Sequence, residues 1–219
     1  MKCIKPHFII ETAINGNEIL KQTEKIGRTC YKSEDRITDD SAVRFVSKLI
    51  KNGHEAMIEH NAITVRFVCD RGVSHEIVRH RLASYGQEST RYCNYSNDKF
   101  GNEINTIDIS GGVTLDTKMN NYSSDKIKLI MDEWILAMED AERHYLKMIE
   151  LGATPQIARG VLPTSLKTEI VVTMNLREWR HFFKLRTAIS SHPQMRELAI
   201  PLLEEFKKYL PCVFDDIQY

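Results

Sequence analysis

Residues 79–92 hold the densest group of chemically useful side chains in the sequence. Arginine forks match the paired oxygens of phosphates and carboxylates, serine hydroxyls add neutral hydrogen bonds, and a glycine lets the backbone approach a ligand closely. Burying such groups unpaired is costly, so the segment is either solvated or holds a polar ligand. Composition alone also fits an exposed, salt-bridged helix end and loop. The residues are Arg79, His80, Arg81, Ser84, Tyr85, Gly86, Gln87, Glu88, Ser89, Thr90, Arg91 and Tyr92.

The order of these residues is more informative than their composition. Arg79-His80-Arg81, followed after seven residues by Ser89, resembles the RHR-x7-S signature of flavin-dependent thymidylate synthases, the ThyX family. Further blocks resemble that family in the same order along the chain. They are residues 52–55 with 59–60, residues 158–163, residues 175–186 and residues 192–196.

The resemblance implies a site for dUMP. Arg91 would pair with the phosphate, and Arg186 would face the uracil ring and stabilise ionised N3. A fixed cation beside developing charge lowers such a barrier. Arg186 and Ser89 are the expected catalytic residues. The expected dUMP-binding residues are Glu76, Arg79, Gln87, Glu88, Ser89, Thr90, Arg91, Arg159 and Arg186.

The resemblance also implies an FAD site and a reductive methylation of dUMP to dTMP. The carbon donor would be 5,10-methylenetetrahydrofolate, the reductant NADPH or NADH, and the folate product tetrahydrofolate. The family is homotetrameric, with sites shared between subunits, and uses no covalent protein nucleophile. The expected FAD-binding residues are His54, Ala56, Arg79, His80, Arg81, Asn175, Arg177 and His181.

Some positions depart from the family pattern. Glu76 stands where many members have glutamine, and its carboxylate would repel a phosphate unless Arg79 or Arg91 neutralises it. Cys30 and Ala56 stand where hydroxyl residues are common, and His181 stands where asparagine also occurs. The departures put these individual contacts in doubt and remove no essential charge.

Periodicity predicts the elements that position these residues. Alternating apolar residues predict strands over 7–14, 63–69 and 169–174, and helical spacing predicts helices over 17–29, 124–151, 176–186 and 194–209. Asp40-Ser41 is expected to cap a helix that ends at Asn52-Gly53, Ser74 to cap a short helix through Arg81, and Thr154-Pro155 to begin another. Residues 84–100 are expected to be a functional loop that partly forms strand, and Gly111-Gly112 a turn.

The fold class expected from this pattern is α+β, because strands and helices lack a regular βαβ rhythm. We expect one domain over residues 1–219, with a mostly antiparallel sheet packed against long helices, as in the ThyX family. Trp134, Trp179 and the pair Phe182-Phe183 are expected in the core.

Composition and missing motifs exclude several classes. Thirty basic and thirty acidic residues balance, which argues against a nucleic-acid or membrane-surface binder. Five cysteines without a CxxC pair fit a reducing cytosol, and no segment resembles a signal peptide or a membrane span, so a cytoplasmic protein is expected. No dinucleotide-binding glycine motif and no P-loop occur.

Two alternative sites and two rival functions also fit parts of the sequence. Cys93 is the nearest candidate for the nucleophile of flavin-free thymidylate synthases, but a buried or half-buried structural thiol fits it better. His54, Glu55 and His60 lack H-E-x-x-H spacing, so no metal is expected. The rival functions are another flavoprotein with a different acceptor and an RNA-binding module that uses the arginines and tyrosines of residues 79–92.

Overall fold

The structure is a computed structural model that describes residues 1–219. The centre of the fold is a four-stranded antiparallel sheet. Its strand order is β2-β3-β6-β4, and the remaining two strands, β1 and β5, form a small parallel pair. This confirms the expected α+β class with a mostly antiparallel sheet. The strands are β1 (Lys2–Ile4), β2 (His7–Ile10), β3 (Ala62–Asp70), β4 (Ala83–Gln87), β5 (Asn105–Ile107) and β6 (Lys167–Asn175).

The two central strands form because alternating apolar residues meet in register. β3 and β6 pair over nine residues, from Ala62 opposite Asn175 to Asp70 opposite Lys167. The side chains that point to the helix-covered face are fully buried, Val65 and Val172 among them. A slip of one residue would turn this face to water, so the burial pattern fixes the register.

Nine helices surround the sheet, joined in places by short 3-10 turns. α5 is the longest at 27 residues, as its periodicity predicts. The helices are α1 (Gly16–Thr29), α2 (Ser41–Lys51), α3 (Arg71–Ile77), α4 (Ser110–Leu115), α5 (Ser124–Glu150), α6 (Pro155–Ala158), α7 (Leu176–Arg186), α8 (Pro193–Tyr209) and α9 (Pro211–Phe214). None of them combines the length and the apolar composition that crossing a bilayer requires.

The main core lies between the sheet and helices α7 and α8. Trp179, Phe182, Phe183 and Phe206 are fully buried and contact one another with ring centroids 5.1–5.7 Å apart. The Trp179 indole N–H donates to the carbonyl oxygen of Ile63 at 3.0 Å, so its polar atom is satisfied. The expected core role of Trp179 and the phenylalanine pair is confirmed, and this packing fixes α7 on the sheet.

A smaller core lies under α5, and here one expectation is wrong. Tyr95, Ile104, Tyr145 and Leu166 are buried together. Trp134 is only half-buried, and its indole N–H donates to Ser165 Oγ at 3.1 Å. Within one chain α5 buries little of its apolar face, so Trp134 lies at the edge of this core and outside its centre.

Three further boundaries differ from the expectations. The predicted strand over 7–14 ends at Ile10. Ser74 does not cap α3, because Asp70 at the end of β3 does so by accepting from the Val73 amide at 2.6 Å. α3 then ends at Ile77, so the segment through Arg81 is a turn.

Two further expectations concern the ends of α2 and the Gly111-Gly112 pair. Asp40 is at the N-cap position of α2 but makes no capping bond with its side chain, while the end at Gly53 is confirmed by φ +72°. Gly111 and Gly112 lie inside α4 and not in a turn. A Cβ at Gly112 would lie 2.5 Å from Gln194 Cγ, so the absent side chains let α4 pack against α8.

Candidate active site

The turn between α3 and β4 carries Arg79, His80 and Arg81. Its shape is fixed from β4, where the Tyr85 hydroxyl contacts the carbonyl oxygens of Ile77, at 3.0 Å, and of His80. Burial raises the pKa of Tyr85 to about 12, so the hydroxyl keeps its proton and remains a donor. The arginine-rich turn is therefore tied to the sheet.

His80, within this turn, is buried against α7. Its Nδ1 lies 3.0 Å from Glu178 Oε1, and Arg186 Nε donates to its Nε2 at 3.1 Å. A guanidinium can only donate, so Nε2 is an acceptor and Nδ1 carries the proton. Burial lowers the pKa of His80, the Arg186 cation lowers it further, and Glu178 opposes both. The ring is a neutral link between Glu178 and Arg186.

Arg186, at the end of α7, is fixed by a second partner. Its Nη1 lies 2.7 Å from Glu76 Oε2, and its Nη2 donates to the Glu76 carbonyl at 2.9 Å. The Arg186 side chain is 16% exposed, so the pair is shielded from much of the solvent. Arg186, and neither Arg79 nor Arg91, neutralises the unusual carboxylate at position 76.

A second group forms on the other side of the loop after β4. Arg159 Nη1 donates to Thr90 Oγ1 at 3.2 Å, which joins the loop to the turn after α6. The Glu88 carboxylate binds Lys167 Nζ at 3.1 Å and the Tyr95 hydroxyl at 3.2 Å. Lys167, which also pairs with Glu169 at 2.6 Å, therefore offsets part of the charge of Glu88. Thr90 itself is buried.

Ser89 organises the start of the same loop. Its carbonyl accepts from the amides of Tyr92 and Cys93 at 3.2 and 3.0 Å, and its hydroxyl oxygen accepts from the Arg91 amide at 3.3 Å. Gln87, two residues earlier, donates its amide to Ser74 and Thr168, so only its side-chain oxygen is free for a ligand.

Three arginines of the motif remain in solvent. Arg79 and Arg81 are exposed and take part in none of the ion pairs of the structure. The Arg91 guanidinium lies 5.5 Å from the ring centroid of Tyr92 and is likewise exposed. These cations are free to meet an anion.

Besides Arg79, His80 and Arg81, the residues expected at a flavin lie at the start of α7, along α7 and on the segment before β3. Asn175 caps α7, accepting from the Glu178 amide at 2.9 Å, as its position predicts. Arg177 is exposed and pairs with Glu59 at 2.6 Å, and the His181 ring is 5.5 Å from that of His80. His54 and Ala56 are exposed and line a cavity of about 1080 Å³.

Three groups thus emerge from the expected residues. Glu76, His80 and Arg186 are hydrogen-bonded together, with His181 beside them. Loop residues 88–91 with Arg159 form the second group. His54 and Ala56 form the third. Within one chain no hydrogen bond or ion pair joins one group to another.

Two residues of the site had no signal in the sequence. Glu178 follows the cap of α7 and precedes the buried Trp179, so it resembles an ordinary first-turn acid, and only the fold places it against His80. Tyr85 is part of the polar loop by composition, but its position opposite Val172 in the sheet makes it the anchor of the turn.

Two alternative chemistries are disfavoured by geometry. His80, Glu178 and His181 lie close enough to share a metal ion, yet the Nε2 lone pair of His80 already accepts from the Arg186 cation. Cys93 is half-buried, as expected, and burial raises the pKa of its thiol. A protonated thiol is a poor nucleophile.

Guanidinium, imidazole and hydroxyl groups that lie near one another can bind an anionic ligand through charge-assisted hydrogen bonds. Comparison with known proteins agrees. A family model described as "Thymidylate synthase complementing protein" matches residues 14–212. The chain therefore belongs to the family of flavin-dependent thymidylate synthases, which are methyltransferases.

Individual relatives support this assignment. The flavin-dependent thymidylate synthase of Geobacter sulfurreducens is 31% identical over 196 residues, covering 86% of this chain and 78% of that protein. The enzyme of the same name from Pyrococcus furiosus is 32% identical over 183 residues, covering 83% and 69%. The crystal structure of a UMP/dUMP methylase, PolB from Streptomyces cacaoi, bound with 5-Br dUMP, matches with a TM-score of 0.78. At 24% identity over 98% of this chain and 96% of that one, this last likeness shows the fold.

Proposed function

We propose that this protein converts dUMP to dTMP, with 5,10-methylenetetrahydrofolate as the carbon donor and NADPH or NADH as the reductant of bound FAD. The observation that carries the proposal is Arg186, a partly shielded cation oriented by both Glu76 and His80 beside the arginine-rich turn. Membership of the family supports the same reaction.

The dUMP site would use the cations that the fold leaves near this turn. Exposed Arg79 and Arg91 supply guanidinium forks for the phosphate. Arg186 faces the pyrimidine and stabilises negative charge at N3, and its free N–H groups remain after it binds Glu76 and His80. The other dUMP contacts proposed are Glu76, Gln87, Glu88, Ser89, Thr90 and Arg159.

The residues expected at FAD fit its diphosphate and ring chemically. Exposed guanidinium groups on Arg79, Arg81 and Arg177 suit the diphosphate, and the cavity lined by His54 and Ala56 suits an apolar ring edge. His80, Asn175 and His181 complete the proposed set. Bound FAD would supply the hydride, and the protein's share is to bind, orient and exclude water.

His80 and Glu178 have a positioning role in this proposal. Because His80 is neutral and accepts a hydrogen bond from Arg186, it orients the guanidinium without neutralising its positive charge. The carboxylate of Glu178 keeps the proton on Nδ1. Arg186 therefore remains a full cation at a fixed position, as electrostatic stabilisation requires.

Assembly would complete the site. The three groups of site residues do not bond to one another within one chain, which favours a homotetramer in which neighbouring subunits bring them together. The half-covered face of α5 offers apolar surface for such contacts. We further propose one domain over residues 1–219 and a cytoplasmic location.

The test is the absorbance spectrum of the purified protein, with and without dUMP, followed by an assay for dTMP. We expect a flavin spectrum that changes on adding dUMP, and dTMP formation with both folate and reductant. Arg186→Ala should abolish dTMP formation while FAD stays bound, because Arg186 acts on the pyrimidine. Full turnover by this variant would refute the role given to Arg186.

The two rivals give different results in the same assays. A flavoprotein with another acceptor would be yellow and consume the reductant without dUMP-dependent turnover of the folate. An RNA-binding module would lack flavin and bind RNA with strong salt dependence.

A further inference from the structure

The cavity beside His54 and Ala56 continues into a basic wall that the proposed reaction does not use. This wall comes from the end of α1, the 3-10 turn Glu34–Arg36 and one face of α2. Four side chains around it are permanent cations, Arg28, Arg36, Arg44 and Lys48, and no aspartate or glutamate lines it. In a chain with equal numbers of acids and bases, this is a local concentration of positive charge.

The four cations differ in what already binds them. Arg28 is held by Glu24 at 2.6 Å and lies over the ring of Phe45, so it is part of the wall. Arg36, Arg44 and Lys48 are exposed and form no ion pair. Asp40 lies near Arg44, but its carboxylate binds the Thr38 hydroxyl at 2.7 Å.

Arg44 and Lys48 occupy positions i and i+4 of α2, so they share one face of the helix, where the Cβ atoms of such a pair lie about 6 Å apart. Like charges at this spacing destabilise a helix unless something binds them. The two cations face the cavity with no acid of the wall between them, so an anion from outside the chain would relieve their repulsion.

We infer that this wall binds the anionic tail of the co-substrate that docks against the flavin, and that the tail is the chain of linked glutamates on the folate. This inference rests on the proposed function. Three cations spread over a turn and a helix suit carboxylates separated by several ångströms. A single phosphate would instead call for donors that converge on one point. The volume of about 1080 Å³ lies just above the usual range for small-molecule sites, roughly 300–1,000 Å³, which leaves room for a tail beside a ring.

The experiment compares 5,10-methylenetetrahydrofolate carrying one glutamate with the same folate carrying four. We expect the wild-type KM to be about tenfold lower for the tetraglutamate, since exposed ion pairs are individually weak and three act together. In Arg44→Gln/Lys48→Gln the ratio of the two KM values should fall to about two. The matched control is Lys21→Gln/Lys51→Gln, which removes two exposed cations outside the cavity and should keep the wild-type ratio.

A binding measurement removes any dependence on turnover. Equilibrium dialysis with labelled folic acid, as monoglutamate and as tetraglutamate, should give the same ratio of Kd values. The ratio should shrink between 0.05 and 0.5 M salt, because exposed charges are screened. If the double variant does not fold, the single variant Lys48→Gln replaces it in both measurements, after circular dichroism has shown that it is folded.

The outcomes separate this inference from the proposed function. If wild-type protein forms dTMP but treats both folates alike, the tail site is wrong while the proposed function stands. If no dTMP forms with either folate, the proposed function fails. If Arg44→Gln/Lys48→Gln raises KM for NADPH alone, and not for NADH or the folates, the wall binds the phosphate of the reductant. Loss of FAD from that variant would instead assign the wall to the flavin diphosphate. Either result overturns the inference.

Discussion

Glu197 on α8 makes the stability of this protein depend on pH. Its carboxylate fills the space left by Gly111 of α4, where a Cβ would lie 1.9 Å from Oε1, and its Oε2 is buried without a hydrogen-bond partner. Burial, together with the nearby carboxylates of Asp108 and Asp70 and against the opposing effect of Lys5, raises the pKa of Glu197 to about 7. Such a carboxyl is neutral in the folded protein at pH 5 and charged at pH 8.5.

The direction in which stability changes with pH follows from the protonation of Glu197 in the folded and unfolded chains. Below pH 4.5 the group is protonated in both folded and unfolded chains, and stability is unaffected. As pH rises from 4.5 to about 7 the unfolded chain ionises more readily, so stability is lost, and above about 7 the loss is complete. The difference corresponds to about 3 kcal/mol at roughly 1.4 kcal/mol per pH unit. We reduce it to about 1–2 kcal/mol because the side chain is partly exposed and therefore screened.

Glu197→Gln removes this loss, because an amide of the same shape has no charge to bury. At pH 8.5 we expect the variant to melt about 2–8 °C above wild type, and at pH 4.5 to melt close to it. The assay is thermal unfolding followed by circular dichroism from pH 4.5 to 8.5, with the exposed Glu139→Gln as control. If the wild-type and Glu197→Gln melting curves shift in parallel across this range, the assignment of a buried, raised carboxyl is refuted.

Three other predictions concern the site and its support. Ser89→Ala should lower dTMP formation while the melting temperature stays within a few degrees of wild type, because the Ser89 hydroxyl makes one weak loop contact; an unfolded variant would instead give the loop a structural role. Glu76→Gln should bind dUMP a few-fold more tightly in calorimetry, since it removes a negative charge yet keeps an oxygen for Arg186; weaker binding would show that the carboxylate is needed. Arg180→Ala should cost about 3–5 kcal/mol in urea unfolding, because buried Arg180 holds Asp216 at 2.7 and 2.8 Å and Glu55 at 3.0 Å; a loss below 1 kcal/mol would contradict this.

Periodic segments of the sequence predict most of the scaffold. The central strands β3 and β6 and the helices α1, α5, α7 and α8 were predicted correctly because their apolar spacing matches one structure only. The start of α3 was missed because the capping residue, Asp70, is also the last residue of a strand, so Ser74 looked like the better cap. The helix through Gly111 was missed because a glycine pair ordinarily predicts a turn, and only the close approach of α8 explains it.

The motif of the site is visible in the sequence, but its internal contacts are not. The pairs that orient Arg186 join residues about a hundred positions apart, so no local pattern reports them. The sequence shows that the carboxylate of Glu76 needs a neutralising cation. Only the fold shows that this cation is Arg186. The basic wall of the cavity likewise joins α1, α2 and a 3-10 turn, each of which looks like an ordinary exposed segment alone.

The anchoring of the arginine-rich turn has a consequence for how tightly a ligand can be held. Tyr85 fixes the backbone from the sheet and Glu178 fixes His80 from α7, while the Arg79 and Arg81 side chains are exposed to solvent without an ion-pair partner. An arriving anion must therefore immobilise side chains alone, at about 0.5–1.5 kcal/mol each, with no loop left to fold. The protein therefore loses little backbone entropy on binding, and more of the interaction energy remains to hold the ligand.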